Sequence, residues 1–354
     1  MTDLIGLSRE ELGAEIEKLG EKPFRAKQLW HWMYNQGKTD FSEMTSLGRE
    51  LRRKLTDEGY EIGRPEIVRE LNSADRTRKW LLRFKDGHEV ESVYIPEDDR
   101  GAVCISTQVG CPNGCLFCHT GSQKMVRNLT AGEIAAQFMV ARDSYGEWPS
   151  PAAEPRFLSN IVVMGMGEPL LNYENVKKGL QIIMDPEGIA LSRRRITLST
   201  SGVAPLIPRI AEDLGVKLAI SLHAPTNEIR DRIMPINRRY PIEELMAACR
   251  AFQAHEGRLQ YITVEYVMLD GVNDSEADAR ELLRVVRGLA VKFNLIPFNE
   301  WPGSGFRCSP AKRIEKFARI LESRNYAAPI RSSRGQDIMA ACGQLKSASK
   351  RNEI

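Results

Sequence analysis

The hydrophobic period of this chain changes twice along its length, and the changes divide it into three stretches. Up to about residue 70 the apolar positions recur at helical spacing. Ser8 followed by Glu11 is a capping box that opens a helix over 7–19, with Gly20 as its stop. Pro23 suits a first helical turn ahead of Phe24, Leu29, Trp30 and Met33, and Gly37 ends that segment. A third helix is predicted over 47–56. Near Arg78 the pattern turns to alternation: Trp80, Leu82 and Phe84 share one face, Asp86-Gly87 makes a turn, and Val90 and Val93 follow. This predicts a β-hairpin. Glu91 lies in its second strand, and on this pattern alone it reads as a solvent-facing carboxylate.

From residue 102 onward strand-like apolar runs alternate with amphipathic helical ones. Strands are predicted over 103–107, 160–164, 196–198, 218–221, 262–268 and 292–296. Helices are predicted near 131–142, 174–184, 204–213, 241–255, 276–288 and 310–323. Six such units imply an α/β fold with a parallel sheet, a partial (β/α)6 TIM-like barrel. The expected organisation is a small N-terminal helical domain over 1–75, a β-hairpin extension over 76–100, a core over 101–345 and a tail over 346–354. Residues 146–155, rich in proline, read as an irregular surface insertion.

Composition adds limits. A chain of 354 residues with 42% hydrophobic content can bury a sizeable core, as two domains or as one large one with an appendage. No apolar run reaches the length needed to span a membrane, and no signal-peptide pattern is present, so a cytoplasmic protein is expected. Its seven cysteines are then expected as reduced thiols in metal or redox work. The net charge of +3 permits RNA binding without announcing it.

Three of the cysteines are spaced Cys111-x-x-x-Cys115-x-x-Cys118, with Phe117 just before the last. Three thiolates can hold three corners of an iron–sulfur cube and leave the fourth iron open to a chelating substrate. A structural zinc is the alternative. It requires a fourth ligand, for which His119 and Cys104 are the nearby candidates, and His119 directly follows Cys118 in a cramped arrangement.

Polar or glycine-rich residues recur after the predicted strands. These are the cysteine loop, Gly165-Met166-Gly167-Glu168-Pro169, Ser199-Thr200-Ser201-Gly202, Ser221-Leu222-His223 and Pro297-Phe298-Asn299. Ligands of parallel α/β sheets bind at the carboxyl ends of strands, so these clusters are expected to converge on one mouth. Taken singly each is ordinary: a glycine-rich turn is usually a turn, and His223 alone reads as a hydrogen-bonded core histidine. Cys249 and Cys308 read as small buried hydrophobes. Cys342 could be the same, but Gly335 and Gly343 flank its segment and suggest a short positioned element.

Together the Cys111–Cys118 loop, Gly165 to Pro169, Ser199 to Gly202, Ser221 to His223, Asn299, the Cys342 segment and the Phe24-Arg25-Ala26-Lys27-Gln28-Leu29 region resemble the radical S-adenosylmethionine (SAM) methyltransferases of adenine in ribosomal and transfer RNA. The resemblance covers essentially the whole chain and is closer to the members that methylate carbon 2 of adenine than to those that methylate carbon 8. It implies a radical SAM barrel, a [4Fe-4S] cluster on Cys111, Cys115 and Cys118, and SAM held by Gly167, Glu168, Ser199, Ser221, Leu222, His223 and Asn299. It further implies that Cys342 takes a methyl group from one SAM as a thiolate. A second SAM, cleaved by one electron, supplies the radical that activates that methyl for addition to the ring. Glu91 then takes the ring proton, and Cys104 attacks the sulfur of Cys342 to form a transient disulfide.

The implied partners are 23S rRNA and tRNA, with flavodoxin or ferredoxin as electron donor, no membrane, and a monomeric protein. The basic groups Arg52, Arg53 and Lys54, Arg193 to Arg195, Arg238 and Arg239, and Arg331 with Arg334 are candidate phosphate contacts or simply solvated surface. Two alternatives stay open from the residues: a carbon-8 methyltransferase using the same cysteines, and a non-catalytic RNA-binding protein with a metal knuckle.

Overall fold

The computed structural model describes residues 2–98, 100–152, 156–255 and 261–349. Its centre is a nine-stranded sheet whose strands lie side by side in chain order. They are β1 (Glu66–Asn72), β2 (Arg78–Arg83), β3 (Glu89–Pro96), β4 (Gly101–Cys104), β5 (Leu158–Val163), β6 (Ile196–Thr200), β7 (Lys217–Ser221), β8 (Ile262–Met268) and β9 (Val291–Pro297). Pairings from β4 to β9 are all parallel, and those from β1 to β4 are antiparallel. The parallel strands intersperse polar with apolar residues, as Thr197 and Ser199 in β6 and Lys292 and Asn294 in β9 show.

The helices are α1 (Arg9–Lys18), α2 (Phe24–Trp30), α3 (Arg49–Asp57), α4 (Ala131–Tyr145), α5 (Tyr173–Met184), α6 (Ile207–Asp213), α7 (Asn227–Ile233), α8 (Ile242–Ala254), α9 (Glu276–Val285) and α10 (Ala311–Glu322). Local chemistry sets their starts: capping boxes at Ser8, Thr130 and Ser275 open α1, α4 and α9. All six expected strand–helix units are present. The unit expected over 204–213 divides into a tight turn at Ala204–Leu206 and then α6. The short helix α7 has no counterpart in the sequence reading, because its few apolar positions give too little period to detect.

The hairpin extends the core sheet directly: β3 bonds to β4, and a further strand, β1, pairs with β2, so the sheet continues without interruption. The polar pattern of β1 hid it, since β1 is an exposed edge strand. The described part of the 146–155 stretch is irregular and partly exposed, as expected, and it is held to its surroundings. Asn35 Nδ2 donates to the Ser150 carbonyl at 2.9 Å, Ser150 N–H donates to the Asn35 carbonyl at 2.8 Å, and the Trp148 ring lies against the Arg142 guanidinium at 4.0 Å.

The leading helices share one buried apolar cluster with the barrel, to which Leu12, Ile16, Leu29, Met33, Leu51 and Leu55 contribute. Each such burial stabilises by roughly 1.5–3 kcal/mol. Gly6 sits against α4 so closely that a Cβ there would lie 2.4 Å from Gly132 N, which requires glycine. Arg9 adds paired bonds to Asp185 at 2.5 and 2.7 Å.

Candidate active site

The loop after β4 is framed by a two-residue ladder between Gln108–Val109 and Arg127–Asn128. Between these arms the chain carries Cys111, Cys115 and Cys118, folded by Cys118 N–H to Cys115 O at 3.1 Å and Leu116 N–H to Ile233 O at 3.0 Å. All three cysteines line one cavity, which opens at the carboxyl ends of the strands. The same cavity is lined by Gly167, Glu168, Ser199, Ser221 and His223, so the clusters converge as the strand pattern requires. Leu222 lies beneath this wall, with its N–H on the Glu265 carbonyl at 3.2 Å and its carbonyl accepting from Arg230 at 3.0 Å.

Glu168 is the polar keystone of that wall. Its oxygens accept from Thr200 Oγ1 at 2.8 Å, Ser201 N–H at 2.8 Å, Ser201 Oγ at 2.5 Å, Leu170 N–H at 3.1 Å and Asn113 Nδ2 at 3.3 Å. A carboxylate has about four acceptor positions, so an incoming amine must displace one of these donors. Gly167 beside it has φ +101, and a Cβ there would lie 2.6 Å from Gln108 Cβ. His223 also adopts a left-handed conformation, φ 58. Its Nδ1 accepts from Val267 N–H at 3.0 Å, and its ring meets Phe117 edge to face at 4.7 Å. Burial, with Arg230 adding to it, pushes His223 down to about 3, so it faces the cavity as neutral imidazole.

A second cavity adjoins the first and brings together Cys104, Asn299, Arg331 and Cys342. Cys118, Arg331 and Cys342 line both cavities. Burial, then the neighbouring Cys342, pushes the Cys104 thiol up to about 12, while Arg331 acts in the opposite sense. Asn299 points at the Cys342 segment: its Nδ2 donates to the Cys342 carbonyl at 3.1 Å and its Oδ1 accepts from Gln336 at 3.0 Å. It does not line the larger cavity. The Cys342 segment is short and fixed, with a tight turn at Gln336–Ile338 between the left-handed Gly335 and Met339 and a second closed by Gln344 N–H on the Ala341 carbonyl at 3.0 Å.

Glu91 is 7% exposed, which overturns its sequence-pattern reading as a solvent-facing carboxylate. It forms an ion pair with Lys79 at 2.8 Å and accepts from Lys346 N–H at 2.9 Å. Burial raises its carboxyl above the ordinary range, and Lys79 opposes that shift. Lys79 was invisible in the sequence; a diagonal cross-strand pair shows only once the register of β2 on β3 is known.

All seven cysteines are free thiols. Burial raises Cys111 to about 12 and also raises Cys115 and Cys118, so each thiol keeps its proton until a metal displaces it. Among the described residues no group of three His, Cys, Asp or Glu side chains is disposed to hold a single metal ion. A cube differs from a single ion because it distributes its thiolates over separate irons, and the three-cysteine wall fits that demand. His119, the candidate fourth zinc ligand, stacks on Trp301 at 4.6 Å and its Nδ1 meets the Gln344 carbonyl at 3.2 Å. Cys249 is fully buried as expected, whereas Cys308 is half-buried and its thiol donates to the Ser309 carbonyl.

The basic groups separate by position. Arg53 pairs with Asp57, Lys54 with Glu50 and Glu21, and Arg52 donates to the Ser42 carbonyl. Arg193–Arg195 lie at the amino end of β6, at the opposite pole from the cavity. Arg238 and Arg239 follow α7 on the cavity side and are exposed.

No helix among the described residues is long and apolar enough to cross a membrane. Comparison with known proteins gives a concordant picture. Residues 2–60 match the ribosomal RNA large subunit methyltransferase N-terminal domain, and residues 105–283 match the radical SAM superfamily. The chain is 65% identical to the dual-specificity RNA methyltransferase RlmN of Rhodospirillum rubrum, over 99% of this chain and 81% of that protein. It is 63% identical to the RlmN of Gluconobacter oxydans, over 99% of this chain and 86% of that protein. The crystal structure of a radical SAM methyltransferase from Sphaerobacter thermophilus superposes with a TM-score of 0.91 at 45% identity, covering 98% of this chain and 99% of that one. Identity at this level over nearly the whole length, with the cysteine wall in place, establishes that the chain belongs to the RlmN family of radical SAM RNA methyltransferases.

Proposed function

We propose that this protein is a dual-specificity RNA methyltransferase that methylates carbon 2 of adenine in 23S rRNA and tRNA. The observation that carries this reading is the pair of adjoining cavities, which share Cys118 and Cys342 and of which one also holds Cys104. Carbon 2 is an electron-poor amidine carbon whose hydrogen is not acidic, so displacement of methyl from SAM by that carbon has no usable nucleophile. Cys111, Cys115 and Cys118 would hold a [4Fe-4S] cluster, which together with SAM would supply the radical chemistry that this carbon needs.

The chain's own residues do the rest. Gly167, Glu168, Ser199, Ser221, Leu222, His223 and Asn299 shape the SAM site, by contact or by holding the residues that make it. Cys342 carries the methyl group as a thioether, and its place at the border of the two cavities gives it access to both the SAM site and Cys104. Glu91 takes the proton that carbon 2 gives up. A carboxyl raised by burial is well suited to accept one. Cys104 resolves the covalent link to RNA by attacking the sulfur of Cys342, and cytosolic thiols restore both residues. The target base must leave its stack to reach this site. The protein works in the cytoplasm as a monomer, with a flavodoxin or ferredoxin as reductant.

Two measurements test this. Mass spectrometry of the Cys342 peptide from cells with active SAM metabolism is expected to find one added methyl group on sulfur. Mapping the methyl group on RNA after turnover is expected to place it on carbon 2. Unmodified Cys342 in protein with an intact cluster, or a carbon-8 product, overturns the reading.

A further inference from the structure

The segment that carries Cys342 is tied near both ends to one buried ion pair. Lys79 Nζ lies 2.8 Å from Glu91 Oε1, with the two side chains 7% and 9% exposed. The same ammonium donates to the Met339 carbonyl at 3.0 Å, before Cys342, and Glu91 Oε2 accepts from Lys346 N–H at 2.9 Å, after it. Lys79 and Glu91 are diagonal neighbours on β2 and β3, so the rigid sheet, and not a loop, sets their spacing.

From this geometry we infer that Lys79 and Glu91 form a charge-operated clasp on the Cys342 segment, closed while Glu91 is ionised and opened by the proton Glu91 receives. Lys79 is thus a positioning residue, with no contact of its own to substrate. The inference rests on the proposed role of Glu91 as the acceptor of the ring proton. That step is a proton transfer alone: hydrogen leaves carbon 2 as H⁺, its bonding pair stays with the ring, and the carboxylate becomes a carboxylic acid.

The physical reason is that both anchors depend on one negative charge. A hydrogen bond to an ionised acceptor is roughly twice as strong as a neutral one, so neutral Glu91 holds Lys346 N–H weakly. It also leaves the Lys79 ammonium buried without a counter-ion, which drives that side chain toward water and away from Met339. Lys79 is the charged group that bears on Glu91. The other ties on the segment are His119 N–H to Gly343 O, His119 Nδ1 to Gln344 O, Thr120 Oγ1 to Leu345 O, Gln344 Nε2 to Glu300 O and Asn299 Nδ2 to Cys342 O. His119 is the titratable group among them, and burial first, then Lys346 and Lys79, holds it low against the pull of the Gln344 carbonyl. None of these ties uses the Glu91 carboxylate, so the segment loosens without leaving. The timing suits the chemistry, because on the proposed mechanism Cys104 attacks the sulfur of Cys342 after the ring proton has gone and not before.

Hydrogen exchange of the full-length protein, purified without oxygen and without RNA, reads the clasp directly. Glu91→Gln keeps the shape and removes the charge, and Lys79→Met removes its partner. Both are expected to speed exchange in peptides covering 339–346 about tenfold, with Lys79→Arg protected like the wild type and the β2–β3 peptides unchanged. In turnover, Lys79→Met is expected to lower kcat with KM for RNA unchanged, and Lys79→Arg to restore it. Wild-type exchange over 339–346 in Glu91→Gln overturns the clasp, and that isosteric variant decides the matter even if Lys79→Met disturbs the hairpin. The exchange experiment involves no methyl transfer, so its failure is distinct from failure of the carbon-2 assignment.

Discussion

Glu168 and Ser201 are joined twice, through the Ser201 N–H at 2.8 Å and its hydroxyl at 2.5 Å, and this double bond of contacts locks the turn after β6 to the turn after β5. Glu168 also takes Thr200, Leu170 and Asn113, so one carboxylate organises the wall facing the cysteines. Glu168→Gln replaces an acceptor oxygen with a donor NH2 in a site filled by donors. At least one buried donor then loses its partner, at a cost of about 1–3 kcal/mol. The expected outcome is a lower Tm together with SAM binding weakened at least tenfold, measured by equilibrium dialysis on cluster-loaded protein.

Cys104 and Cys342 share a cavity, and both are reduced here. On the proposed mechanism, removing the Cys104 thiol is expected to leave the Cys342 sulfur attached to its substrate. Cys104→Ala should therefore accumulate a covalent RNA–protein species, visible as an RNA-dependent band shift that survives denaturation and disappears after nuclease treatment. Multiple turnover by this variant at wild-type rate would remove Cys104 from the resolving step.

His223 predicts an acid limb in stability. Its folded value is pushed down to about 3 from 6.5, so between those values the unfolded chain binds a proton that the folded chain does not. Stability from this residue is complete above about pH 6.5 and is lost as pH falls toward 3, at about 1.4 kcal/mol per pH unit within that window. Denaturant titrations of wild type and His223→Gln across pH 7 to 4 are expected to show a flatter acid slope for the variant. Parallel slopes would show that His223 does not control this limb.

Arg238 and Arg239 stand exposed on the cavity side of the barrel. Replacing both by Glu is expected to weaken RNA binding and to reduce the slope of log affinity against log salt by about 2. On the proposed mechanism, methylation of Cys342 is expected to continue, because neither arginine lines the cavity of the cysteines. The same substitutions at Arg53 and Lys54, whose charges are already paired with acids, should change the salt slope less.

Much of this protein is written in local spacing. The Cys111–Cys118 loop, the capping box at Ser8 and the six strand–helix units depend on residues a few positions apart, so period and spacing are enough to find them. The convergence of the Gly167, Ser199, Ser221 and His223 clusters on one cavity also followed, because a parallel sheet puts every strand's carboxyl end at the same pole. Other features depend on residues far apart in the chain, and only the tertiary structure decided them. Strand alternation made Glu91 look exposed, but β3 is covered by the Cys342 segment, and its buried partner Lys79 is defined by register and not by composition. The edge strand β1, the merging of the hairpin into the barrel sheet and the meeting of Cys104 with Cys342 are of the same kind. Local periodicity records which face of an element is apolar; which distant element covers that face is fixed only when the whole chain packs.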